Sequence, residues 1–133
     1  MKLIFVDTSG IVAAMNAKDS HHEKAKAIFK KLAAERCALV VTNYVRAETH
    51  ALLVNQAGRE LALRFLEDSS WAVEWVEPED EKRAMEILHR FKDKDFSLTD
   101  ATSFAVIERL EIKEAVSFDR HFSRYGLMTV CSE

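Results

Sequence analysis

The sequence predicts an α/β protein built on a mostly parallel sheet of about five strands, with helices covering both faces. Three observations carry this. Short apolar runs of β type alternate with longer segments whose apolar residues recur at helical spacing, the rhythm of strand–helix–strand crossovers. The 133 residues include only three glycines and one proline, too few turn-formers for a sandwich of many short strands. A composition of 48% hydrophobic and 31% charged residues belongs to a globular chain with a core to bury. At about 150 residues per domain, this length predicts one domain over residues 1–133.

The elements follow in order. Residues 2–6 are an apolar run closed by Asp7 and read as a buried strand. Residues 8–16 read as a short helix. Ser20-x-x-Glu23 has the capping-box pattern, opening a helix to about residue 35 with Ala25, Ile28, Phe29 and Leu32 on one face. Residues 38–41 form a second strand. Thr42 or Asn43 caps a helix to residue 57, where Gly58 breaks it, and residues 59–67 form the next, with Leu61, Ala62, Phe65 and Leu66 inward. Residues 73–76 are a third strand. Pro78 followed by Glu79, Asp80 and Glu81 starts a helix to about residue 91. Ser97-x-x-Asp100 caps another, to about residue 110. Residues 115–118 make a fourth strand, 119–124 a short helix or turn, and 127–130 a fifth strand.

Charge and motifs exclude several classes. Nineteen Lys and Arg against 22 Asp and Glu leave a net −3, which does not mark a nucleic-acid binder but permits a basic face offset by an acidic cluster. Cys37 and Cys131 form neither a CxxC nor a disulfide framework, and read as buried free thiols. No apolar run approaches the ~20 residues of a membrane span. The N-terminal run is too short for a signal peptide, so a cytoplasmic protein is expected. The five histidines show no HExxH spacing, and there is no P-loop or GxGxxG motif. Asp7-Thr8-Ser9 lacks the aspartate at position 9 that a phosphotransfer enzyme of the haloacid dehalogenase type would use.

Four acids stand out. Asp7 follows the first strand directly and Asp119 follows the fourth, which places both at the carboxyl edge of a parallel sheet, where ligands bind. Glu48, three residues after Val45 and four before Leu52, falls on the apolar stripe of its helix, as Asp100 does ahead of Phe104 and Ile107. Taken singly, each acid has a plain structural role: Asp7 and Asp119 as N-caps, Asp100 as a capping-box acid, Glu48 in a distant ion pair. Taken together, they can converge on one edge. Converged carboxylates repel unless a cation neutralises them, and oxygen donors without a Cys or His cluster select Mg²⁺ or Mn²⁺ over Zn²⁺. Metal-activated water attacking a phosphodiester is the matching chemistry.

These residues lie in four segments: Phe5-Val6-Asp7-Thr8-Ser9, Asn43-Tyr44-Val45-Arg46-Ala47-Glu48-Thr49, Ser97-Leu98-Thr99-Asp100-Ala101 and Ser117-Phe118-Asp119-Arg120-His121-Phe122. In this order the segments resemble the PIN domain family, in particular its stand-alone VapC-like members, over essentially the whole chain. The resemblance implies a three-layer α/β/α domain with a parallel sheet and a Mg²⁺- or Mn²⁺-dependent endoribonuclease. It implies that Asp7, Glu48, Asp100 and Asp119 match the acidic quartet that holds the metal. It also implies a toxin of a toxin–antitoxin pair, usually a homodimer held by a small antitoxin protein.

Within that frame, Asp7 and Asp100 sit on rigid platforms and are expected as the most direct metal ligands. Glu48 and Asp119 are expected to hold a second metal or its waters, one acid serving as general base. Ser9, Thr8 and Thr99 are placed to orient carboxylates or waters, and Asp95 is an auxiliary acid. Arg46, Lys94 and Arg120 are the cations nearest the acids in sequence and are expected to meet substrate phosphates, with Lys92 also close. Tyr44 and Phe96 are the aromatics to stack on RNA bases. The apolar residues between Val45 and Leu66 suit core burial, a dimer contact or an antitoxin clamp. Two other functions compete: a non-catalytic RNA- or protein-binding module of the same fold, and a housekeeping RNA-processing nuclease. Metal-dependent cleavage separates the first from a ribonuclease. A neighbouring small antitoxin gene separates the second from a toxin.

Overall fold

The computed structural model describes residues 1–126 and 128–131. Its strands β1 (Leu3–Val6), β2 (Ala38–Thr42), β3 (Trp71–Glu74), β4 (Glu114–Val116) and β5 (Thr129–Cys131) pair in the order β3-β2-β1-β4-β5. Every pairing is parallel. The helices are α1 (Thr8–Met15), α2 (His22–Ala34), α3 (Asn43–Ala57), α4 (Arg59–Glu67), α5 (Pro78–Arg90), α6 (Leu98–Arg109) and α7 (Arg120–Tyr125). Right-handed crossovers put α1–α4 on one face and α5–α7 on the other, because the chain moves outward from β1 to β3 and then jumps back past β1 to β4. The helix contacts largely follow this division: α1 packs on α2 and α3, α3 on α4, α5 on α6, and α6 on α7, while α3 also meets α6 across the layers. This is the expected three-layer α/β/α arrangement.

Alternation along β1 explains the layers. Phe5 turns to the α6–α7 layer, where it stacks on Phe122 at 6.0 Å while Phe104 lies parallel to Tyr125 at 4.1 Å. On the opposite face Trp71 sits edge-on between Phe29 of α2 and Phe65 of α4. Two ion pairs fix α6 against α5. Arg109 Nη2 reaches Asp80 Oδ2 at 2.9 Å, and Arg83 Nε reaches Glu108 Oε1 at 2.9 Å. Burial pushes the Asp80 carboxyl up, but hydrogen bonds from Arg109 and the Glu77 backbone outweigh it and hold the group below its usual value.

Three boundaries differ from expectation, each because side chains capture backbone groups. Ser20 does not cap α2. Asp19 Oδ1 instead accepts the His21 N–H at 2.8 Å, the helix begins at His22, and no side chain caps it. The third strand lies two residues earlier than residues 73–76. The Val76 N–H donates to Asn43 Oδ1 at 2.8 Å and leaves the ladder, while Trp71 pairs with Leu39. The fourth strand stops at Val116 rather than 118, because the Phe118 N–H donates to Ser9 Oγ at 2.8 Å and the Asp119 N–H to Ser117 Oγ at 3.0 Å. The start expected for the fifth strand, residue 127, lies outside the described residues.

Candidate active site

Strand order reverses between β1 and β4, so the carboxyl ends of these two strands diverge into helices on opposite faces and leave a crevice. Asp7 leaves β1 into it and Asp119 follows β4. The first turn of α6 brings Asp100. A cleft of about 30 Å³ is lined by Asp7, Thr8, Glu48, Thr99, Asp100 and Asp119, with Ser9 also on its wall. That volume holds an ion or a water or two, and excludes a nucleotide.

Asp7 is the buried member, 4% exposed. Its Oδ1 accepts the Gly10 N–H at 2.9 Å and the Ser9 hydroxyl at 2.7 Å; its Oδ2 accepts the Ser117 hydroxyl at 2.6 Å. Burial pushes its pKa up to about 7 against the pull of these three bonds, and the negative charge of Asp119 pushes the same way. Asp100 reciprocates with Ser97. Its N–H donates to Ser97 Oγ at 3.0 Å and its Oδ2 accepts the Ser97 N–H at 3.0 Å. Asp119 caps α7 by accepting the His121 N–H at 2.9 Å. Capping and convergence therefore hold at once. The backbone donors that start each helix also fix the carboxylate that faces the cleft.

Glu48 corrects the sequence reading. It lines the cleft but is an exposed residue, not one on the buried stripe. The buried line of α3 runs Val45, Thr49, Leu53, at i, i+4 spacing, and Glu48 stands at its edge, in line with Leu52, which is itself 36% exposed. Arg46 is not brought to the cleft. Its Nη2 donates to the Leu66 carbonyl at 2.9 Å and closes the C-terminal turn of α4. Lys94 pairs with Asp93 at 3.1 Å and lies over the Phe91 ring. Asp95 is exposed and outside the cleft lining. Arg120 lines a larger adjoining cavity of about 520 Å³. Phe96 is a core residue, packed edge-on against Phe104 at 5.1 Å.

Two residues quoted in the motifs but given no role are central. Ser117 bridges the strand ends, donating to Asp7 Oδ2 and accepting the Asp119 N–H. His121 Nδ1 lies 3.1 Å from Asp100 Oδ2 and 3.6 Å from Asp119 Oδ1, with its ring edge-on to Phe96 at 5.5 Å. The signal for both lay in their placement, Ser117 at the strand end beside Asp119 and His121 one step into the helix Asp119 caps.

The donor set fits a divalent cation. Asp100, Asp119 and His121 each offer a ligand atom, all within 4.8 Å of one another. Thr8 Oγ1 is buried beside them without a hydrogen-bond partner, and Asp7 is a carboxyl whose charged form is penalised until a cation joins it. Oxygen donors dominate, which suits a hard cation.

A parallel sheet in the order β3-β2-β1-β4-β5, with acids at the carboxyl ends of β1 and β4 and at the start of α6, defines a class, and comparison with known proteins agrees. Residues 4–127 match the PIN domain family, and the chain belongs to it. The 23S rRNA-specific endonuclease VapC20 of Mycobacterium tuberculosis is 35% identical over 134 residues, covering 98% of this chain and 100% of that protein. Its crystal structure, described as a sarcin–ricin loop cleaving toxin, superposes with a TM-score of 0.83 over 94% of this chain and 96% of that one. A VapC ribonuclease of Archaeoglobus fulgidus is 31% identical over 122 residues, 89% of this chain and 78% of its own. At 14% identity, VapBC2 of Rickettsia felis shares the fold, with a TM-score of 0.73 and 96% of each chain covered.

Proposed function

We propose that the chain is a divalent-cation-dependent endoribonuclease, a toxin of the VapC type acting in the cytoplasm, with Mg²⁺ or Mn²⁺ held by Asp7, Asp100 and Asp119 and with Glu48 at the rim. The observation that carries this is the convergence of three helix-capping carboxylates, one of them buried, in a cleft sized for an ion. A bound divalent cation supplies the positive charge that offsets these carboxylates and the substrate phosphodiester and acidifies the attacking water. The chain's own part is positioning. Ser9, Gly10 and Ser117 lock Asp7 in one orientation. His121 and the Ser97 N–H fix Asp100 Oδ2. Glu48 and Asp119 both line the cleft and reach solvent; of the two, Asp119, with a 38% exposed side chain held as the α7 cap, is the proposed acceptor of a proton from the attacking water.

Because the relative at 35% identity is named for 23S rRNA, that RNA is the substrate to test first. A small antitoxin is the proposed partner, because the relative at 35% identity is described as a toxin; a homodimer is the proposed assembly, as the resemblance to VapC-like proteins implies. The purified chain should cut 23S rRNA with Mg²⁺ or Mn²⁺ and not with EDTA. Asp7→Asn and Asp100→Asn, folded by circular dichroism, should both be inactive. Cutting that survives in both variants, or in EDTA, refutes the reading. Metal binding without any cleavage would favour a non-catalytic binding module. Cleavage without growth arrest on expression would favour a housekeeping nuclease.

A further inference from the structure

We propose that the groove between the start of α2 and α7 is a nucleotide subsite, where His21 presents a stacking face to an RNA base and Lys24 and Arg120 hold its phosphate. The inference rests on the ribonuclease reading and adds the direction in which the strand leaves the cleft. The His21 and Phe118 rings stack at 4.5 Å with planes 18° apart. Together with Asp119, they line two neighbouring cavities of about 520 and 360 Å³, so the ring pair forms a ridge between them beside the acidic cleft. The two sides differ in charge. The larger cavity carries Lys24 and Arg120, both exposed; among the described residues neither is in an ion pair, and Asp119 is the one acid in the lining. The smaller carries Asp19, Glu48, Leu52 and Gln56, with no Lys or Arg.

A chain of phosphates crossing the cleft is repelled on the Glu48 side and drawn to the Lys24–Arg120 side. About 520 Å³ lies in the range of small-ligand pockets and accommodates a nucleotide. The His21 side chain is 45% exposed, and Phe118 backs its ring, so a base meets a platform already in place rather than a side chain that must be ordered. An unstacked base, as found in a loop or single strand, is the form that can use such a platform; a base within a duplex cannot.

The test measures RNA affinity separately from cleavage. A fluorescein-labelled RNA hairpin with a purine-rich single-stranded loop is titrated with the whole chain in EDTA and read by anisotropy. The same proteins are assayed for cutting that hairpin with Mn²⁺. The pair Lys24→Glu and Arg120→Glu should weaken binding by at least about tenfold and lower the slope of log affinity against log salt by about 2. Lys30→Glu, the same charge change on an exposed part of α2 outside the groove, should stay within about twofold. His21→Ala should weaken binding about three- to tenfold, and His21→Phe should restore it. If the double variant binds no worse than Lys30→Glu, the groove proposal falls, and a protein partner becomes the better occupant. In that case an unmutated chain that binds and cuts keeps the ribonuclease reading. An unmutated chain that neither binds nor cuts RNA overturns both.

Discussion

Replacing Asp7 by asparagine should make the metal-free protein more stable while abolishing its response to metal. A buried carboxyl whose pKa rises from 3.8 to about 7 is protonated in the folded state at pH values where the unfolded chain has already released its proton. The folded form thus binds more protons, and stability falls as pH rises from about 4 to about 7. At about 1.4 kcal/mol per unit, the full penalty is about 4 kcal/mol, reached above pH 7. Asparagine keeps an oxygen for the Gly10 N–H and the Ser9 hydroxyl and carries no charge to bury. In EDTA at pH 8, Asp7→Asn should exceed the wild type by about 2–4 kcal/mol in urea unfolding, and the gap should close near pH 4. Adding Mn²⁺ at 100 times its dissociation constant should raise the wild type by about 2.7 kcal/mol and leave the variant unmoved. The reasoning fails if Asp7→Asn is no more stable than wild type at pH 8 without metal, or if the gap is the same at pH 4 and pH 8.

Two further changes probe what surrounds Asp7. Ser117→Ala removes a bond that pulls the Asp7 pKa down, so the ascending limb of the pH–rate profile should move to higher pH and activity at pH 7 should fall about 10- to 100-fold. An unshifted profile would leave Ser117 a packing residue. Gly10→Ala places a methyl 2.9 Å from the Val116 carbonyl oxygen and 3.1 Å from Val6 Cγ1, at the junction of β1, β4 and α1. Thermal and urea unfolding should show a loss of about 1–3 kcal/mol despite alanine's better helix propensity, and wild-type stability would show that the junction yields.

The layered fold was legible because each crossover advertises itself locally. Apolar runs such as Ile4–Phe5–Val6 need both faces covered, and Thr42, Pro78 and Ser97 announce helix starts within a few residues of where they occur. What local pattern could not show was competition from distant groups. Asn43 takes the Val76 N–H from 33 residues away and so ends β3 early, and Ser9 takes the Phe118 N–H from 109 residues away and so ends β4. The site divides along the same line. Asp7, Asp100 and Asp119 were findable because a strand end or a helix start fixes each of them. Ser117 and His121 act through partners 110 and 21 residues away, and only the folded chain pairs them. Glu48 misled for a different reason. Its spacing from Leu52 suggested the apolar stripe, but Leu52 is itself 36% exposed, so the Glu48–Leu52 line is the margin of the stripe and not its centre.

The three cleft aspartates also show why the plain structural reading and the functional one should not be ranked against each other in this fold. A helix N-terminus must find acceptors for its free N–H groups, and an aspartate is among the best. At the carboxyl edge of this sheet α1 and α7 start just after β1 and β4, and α6, which follows α5, starts beside the same cleft, so ordinary caps are delivered to one place. Each cap uses only some of a carboxylate's lone pairs, and all three aspartates line the cleft. The fold thus collects negative charge as a by-product of starting its helices, and Asp7 shows the strain in its raised pKa. On the proposed reading a cation would relieve that strain, and the bonds that specify where α1, α6 and α7 start would also preorganise the site for metal.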